Sequence, residues 1–144
     1  MDTLGRHVIA ELDGCNADLL SDSGEIRRLL LEAARHAGAT ALADETFDFN
    51  EGGVSGFVLL AESHISIHTW PEHAYAAIDI YTCGRHTVPD RACDYLAEKL
   101  QATQVRTTSL ERGVPGKSGG HEHRLSTPGS GIVRPFLANL PQSA

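Results

Sequence analysis

No apolar stretch in this sequence approaches the roughly 18 residues that a membrane-spanning helix needs. The first residues, Met1-Asp2-Thr3-Leu4-Gly5-Arg6, lack the basic and apolar regions of a secretory leader. Cytoplasmic location and no membrane partner are the expectations. Cysteines are few: Cys15, Cys83 and Cys93, odd in number and without Cys-x-x-Cys spacing. That speaks against a disulfide framework and against a zinc knuckle. Basic residues are also short, with 12 Lys+Arg against 19 Asp+Glu and a net charge of −7. Such a balance disfavours nucleic acid and suits, weakly, a small cationic substrate. The Gly-x-Ser-x-Gly elbow of a serine hydrolase is missing. Val114-Pro115-Gly116-Lys117-Ser118 lacks the leading glycine of a phosphate-binding loop.

What is present is a chain of 144 residues, 41% hydrophobic and 22% charged, enough for one globular domain. Residues 5–12 predict a first strand. Asp22 or Ser23 caps a helix to about Ala37, with Ile26, Leu29, Leu30, Ala33 and Ala34 at helical spacing. Strands are expected over 40–49, 54–62, 63–70 and 75–83, with a turn at Asn50-Glu51-Gly52-Gly53. Val88 to Gln101 reads as a second amphipathic helix with Pro89 in its first turn, and Thr103 to Leu110 as a last strand. Consecutive strands favour hairpins over crossovers. The expected fold is therefore α+β: a two-layer α/β sandwich, a mostly antiparallel sheet with helices on one face. A second copy covering the other face makes a homodimer the expected assembly. Beyond Arg112-Gly113 the glycine- and proline-rich composition predicts a flexible tail over 114–144.

The dense segment is Glu62-Ser63-His64-Ile65-Ser66-Ile67-His68-Thr69-Trp70-Pro71-Glu72, followed by Cys83-Gly84 at the end of the next strand. On a strand, His64 and His68 share a face but stand about 13 Å apart, too far to chelate one ion. His121-Glu122-His123 sits in a glycine-rich stretch. No metal site is expected. From the residues alone, these groups could simply pair with one another along a strand.

The combination Glu62-Ser63-His64-x-x-x-His68-Thr69-Trp70-Pro71-Glu72, with Tyr75-Ala76-Ala77-Ile78-Asp79 and Thr82-Cys83-Gly84, resembles the signature of the short-chain prokaryotic S-adenosylmethionine decarboxylase proenzymes. Leu4-Gly5-Arg6-His7, Gly53-Val54-Ser55-Gly56 and Arg112-Gly113 extend the likeness over about residues 3–113. The resemblance implies a decarboxylase domain over 1–113 that cuts itself between 62 and 63. In that scheme the Ser63 hydroxyl attacks the Glu62 carbonyl, with Ser55 assisting. His68 removes the α-proton of residue 63, and Ser63 becomes a pyruvoyl cofactor that takes the substrate amine as a Schiff base. Cys83 is the implied proton donor to the substrate carbon, leaving Cys15 and Cys93 structural. Phe49 is implied to stack on adenine, with Glu72 and Trp70 as further substrate contacts. The implied product is the aminopropyl donor for spermidine synthesis, made by a homodimer of cleaved α/β protomers. Phe47 and Glu51 stand where the family pattern has histidine and proline. That departure, beside Asp44, Glu45 and Asp48, admits arginine or ornithine as alternative substrates. A non-catalytic regulatory relative is the remaining alternative.

Overall fold

The computed structural model describes residues 4–126 and the backbone of 132–135. In chain order the elements are β1 (Gly5–Asp13), α1 (Ala17–Leu20), α2 (Ser23–His36), β2 (Ala41–Asp48), β3 (Val54–Leu60), β4 (Ser63–Trp70), a 3₁₀ turn (Pro71–His73), β5 (Tyr75–Cys83), α3 (Pro89–Lys99), β6 (Gln104–Pro115), β7 (His121–Leu125) and β8 (Ile132–Pro135). The strands form one sheet in the order β2-β3-β4-β5-β1-β6-β7, with β8 also paired to β6. Every described pairing is antiparallel. The expected α+β two-layer arrangement is what the chain adopts.

Alternation sets the two faces. Val8, Ala10, Leu12, Val58, Leu60, Ile65, Ile67, Ile78 and Ile80 are buried under the helices. The intervening residues, among them His7, Ser55, Phe57, His64, His68, Trp70 and Tyr81, fall on the opposite, open face by strand parity and register. Asp22 caps α2, its side chain accepting from Glu25 N–H, and Ile26, Leu29, Leu30, Ala33 and Ala34 form the buried stripe. α2 lies over β2–β4 and α3 over β1 and β5. Gly56 permits the close approach of α2: a Cβ there would stand 2.7 Å from Leu30 Cδ1.

Three features depart from the expected elements. α1 is a single turn held by Asn16, whose side chain accepts from the N–H groups of Asp18 and Leu19; four residues carry no readable periodicity. β6 continues past Leu110 to Pro115, and β7 folds back along it, with an Arg124–Glu111 ion pair of 2.6 Å. β8 pairs with the other end of β6, from Gln104 to Thr107. Two segments of the expected tail are thus strands covering the β6 edge, and its remaining stretches, 127–131 and 136–144, lie outside the described residues. Among the described residues no helix is long and apolar enough to cross a membrane.

Candidate active site

The site begins at the β3–β4 hairpin. Its two connecting residues are Ala61 and Glu62, and Ser63 opens β4. Two-residue hairpins ordinarily place positive φ inside the loop. Here neither Ala61 nor Glu62 has it, and the irregularity falls on Ser63, with φ 142°. That region is nearly glycine-only and costs a serine of order 1–3 kcal/mol.

The groups around Ser63 hold it from several sides. The Cys83 N–H donates to the Glu62 carbonyl oxygen at 2.8 Å. The Glu62 side chain is buried, accepting from Thr40 N–H at 3.0 Å and facing His86 Nε2 at 3.1 Å. The Thr40 N–H, and after it the His86 contact, hold this carboxyl below its ordinary range despite burial. Ser63 Oγ stands 3.2 Å from His64 Nδ1. Burial, and after it the neighbouring His7, push the His64 pKa down, which favours the ring form that can accept a proton. Tyr81, with the Arg112 guanidinium 4.6 Å from its ring centre, and His7, paired to Asp79 at 3.0 Å, pack beside His64. Cys83 is exposed, whereas Cys15 and Cys93 are buried. Ser63, His64, Tyr81, Cys83, Phe57 and Glu62 line one cavity of about 420 Å³.

A second cavity, of about 460 Å³, lies at the far end of β4. Ser55, His68, Phe49, Trp70, Glu72 and Glu51 are among its lining residues. Ser55 Oγ and His68 Nδ1 are 2.7 Å apart across the β3–β4 register. Trp70 stacks on Tyr75, and Phe49 meets Phe47 edge-on. Thr69, buried beneath, accepts from Val54 N–H and donates to Leu20 O, fixing the mouth of the cavity.

The eight sequence-derived residues therefore divide into two groups. Glu62, Ser63 and Cys83 are together; Ser55, His68, Phe49, Trp70 and Glu72 are together elsewhere. Five residues of extended β4 put Ser63 and His68 about 16 Å apart, so His68 does not reach Ser63 of its own chain. The sequence pattern showed both residue types and not this separation. It gave no role to His64, and it missed His86 and Thr40. His64 adjoins Ser63 and carries a usable signal, whereas His86 and Thr40 reach Glu62 only through the fold.

Residues 6–113 match the family model for S-adenosylmethionine decarboxylase. The chain is 42% identical over 127 residues to an S-adenosylmethionine decarboxylase proenzyme of Pyrococcus horikoshii, covering 88% of this chain and 91% of that protein. It is 46% identical over 114 residues to the like-named proenzyme of Moorella thermoacetica, covering 79% and 91%. The crystal structure of the adenosylmethionine decarboxylase from Aquifex aeolicus superposes with a TM-score of 0.75 at 41% identity, over 81% of this chain and 97% of that one.

Proposed function

The chain belongs to the S-adenosylmethionine decarboxylase family, and on that premise we propose that it cuts itself before Ser63, gains a pyruvoyl group there, and decarboxylates S-adenosylmethionine. The observation that carries this reading is the setting of the Glu62–Ser63 peptide. A strained serine follows a carbonyl whose oxygen already accepts a fixed N–H, and its hydroxyl stands beside the His64 imidazole.

Each group has a task in the cut. Ser63 Oγ attacks the Glu62 carbonyl carbon, its proton passing to His64 Nδ1 and on to the serine nitrogen as the C–N bond breaks. Negative charge gathers on the Glu62 oxygen, and the Cys83 N–H donates to it. The bonds from Thr40 and to His86 fix the Glu62 side chain so that its carbonyl does not swing away. Cleavage also releases the φ strain at residue 63. Elimination then needs a base at the α-proton, and His68 is the assigned one, oriented by Ser55.

Because His68 stands at the far end of β4, the base comes from a second copy. Two open faces, opposed with their β4 strands antiparallel, set the His68 end of one chain against the Ser63 end of the other. The open face suits burial: Phe47, Phe57, Leu59 and Trp70 are exposed large apolar residues on it. The assembly is thus a homodimer of cleaved protomers with two composite sites.

The surroundings of residue 63 fit a pyruvoyl group, since the residue opens on a cavity beside the exposed Cys83 thiol. A pyruvoyl group supplies an electron sink beside the substrate's amine, the work pyridoxal phosphate does elsewhere. Cys83 delivers the proton to the substrate's α-carbon. Phe49 and Trp70 offer aromatic faces for adenine. Glu72 and Glu51 offer carboxylates for the sulfonium, in a cavity whose lining holds no lysine or arginine. The relatives described above are named for S-adenosylmethionine, and none of them favours arginine or ornithine.

Release of carbon dioxide from carboxyl-labelled S-adenosylmethionine, arginine and ornithine tests the substrate. Activity with S-adenosylmethionine alone is expected. Turnover of arginine or ornithine in preference to it would overturn the assignment.

A further inference from the structure

Among the described residues four polar or charged ones are buried: Glu62, Thr69, Thr82 and Thr87. Glu62 is held by Thr40 N–H and His86. Thr69 bonds Val54 N–H and Leu20 O. Thr87 donates to Cys83 O at 3.1 Å. Thr82, only 1% exposed, is the exception: among the described residues its Oγ1 has no hydrogen-bond partner. An unmet buried hydroxyl costs about 1–3 kcal/mol, and valine would fill the same space without that cost.

The position of Thr82 gives the hydroxyl a purpose. It is the direct cross-strand partner of Ser63. The flanking bond from Cys83 N–H to Glu62 O makes this a non-hydrogen-bonded pair, the kind whose Cα atoms approach to about 4.5 Å. We propose that Thr82 is a catalytic residue of self-cleavage, its hydroxyl taking the Ser63 nitrogen as a partner once that nitrogen leaves the peptide. This rests on the self-cleavage reading above.

The chemistry balances at that atom. In the acyl shift the Glu62 carbon loses its bond to nitrogen and gains one to Ser63 Oγ, while the hydroxyl proton moves to nitrogen. An amide nitrogen with one N–H and no usable lone pair becomes an amine with two N–H groups and a lone pair. Thr82 has one donor and two acceptor positions idle. It gains nothing from the amide form and bonds the ester form. An ester is the less stable of the two, so a hydroxyl satisfied only after the shift draws the equilibrium toward it.

The test compares Thr82→Val and Thr82→Ser, each in the wild-type chain and in a Ser63→Ala chain that cannot be cut. In the Ser63→Ala chain, Thr82→Val is expected to melt at or above its parent, because an unmet hydroxyl is gone. In the cleavable chain, Thr82→Val is expected to slow conversion to two chains by about tenfold and to lower the fraction cut by hydroxylamine, which attacks the ester. Thr82→Ser, keeping the hydroxyl, is expected to cleave near the wild-type rate. A lower melting temperature for Thr82→Val in the Ser63→Ala chain would show a hydroxyl already bonded at rest and overturn the inference. Wild-type cleavage by Thr82→Val would overturn it while leaving self-cleavage intact. A wild-type chain that stays whole would instead remove the self-cleavage reading beneath it.

Discussion

Mixing two inactive variants should restore cleavage. Ser63→Ala removes the nucleophile and keeps His68; His68→Ala keeps Ser63 and removes the base. Each alone is expected to form dimers in which neither site is complete. With roughly 16 Å between these residues on one strand, the proposed dimer takes the Ser63 and the His68 of each site from different chains. In a mixed dimer one site then carries both lesions and the other carries none. With equal co-expression and random pairing, half of the His68→Ala chains sit in mixed dimers. All of the His68→Ala chains in mixed dimers are therefore expected to be cut, a quarter of all chains present, and no Ser63→Ala chain at all. Intact-mass spectrometry distinguishes the two variants and their fragments directly. Ser55→Ala belongs with His68→Ala, because their side chains bond each other, so that pair should not complement. Absence of cut chains in the Ser63→Ala and His68→Ala mixture, with mixed dimers shown to be present, would refute the composite site.

Cys83→Ala is expected to cleave, because its backbone N–H and not its thiol meets the Glu62 oxygen, yet to lose at least about a hundredfold in carbon dioxide release; equal turnover would remove the proton-donor role. Glu62 has a folded-state pKa below its unfolded one, so its contribution is complete above the ordinary carboxylate pKa near 4.3 and is lost as pH falls through the folded value. Melting of the Ser63→Ala chain should therefore drop over that acid window, and adding Glu62→Gln should flatten the drop; an unchanged profile would count against the anchored carboxylate. Thr69→Val leaves the Val54 N–H and Leu20 carbonyl without their buried partner, a cost of about 2–4 kcal/mol and a fall in Tm of roughly 8–15 °C. A change under about 3 °C would show that these groups find other partners.

Much of the fold was legible because its signals are local. Asp22 before an apolar stripe marks α2, and alternation of Ile78 and Ile80 with Asp79 and Tyr81 marks β5. The β6 extension was not, because Gly113, Pro115 and Gly116 read as chain breakers. In the fold Gly113, at φ 69°, takes up the register shift of β6 between Glu111 and Val114, and Gly116, bonded to Gly119 and Gly120, opens the turn into β7. The candidate reactive residues stood together in the signature, but their division between two cavities was not legible there. Residue spacing gives distance along a strand, so the gap between Ser63 and His68 was implicit in β4. The anchoring of Glu62 depends on Thr40 and His86, brought together from before β2 and after β5, and no spacing rule reaches that far.

Self-processing is a cut at one peptide bond that converts a serine into a carbonyl group. Intact-mass measurement of the purified wild-type protein tests it most directly. Two chains are expected, residues 1–62 ending in a free Glu62 carboxylate and residues 63–144 lighter by one ammonia than the same chain beginning with serine. A single uncut chain in a preparation that turns over substrate would contradict it, as would a second chain that still begins with serine.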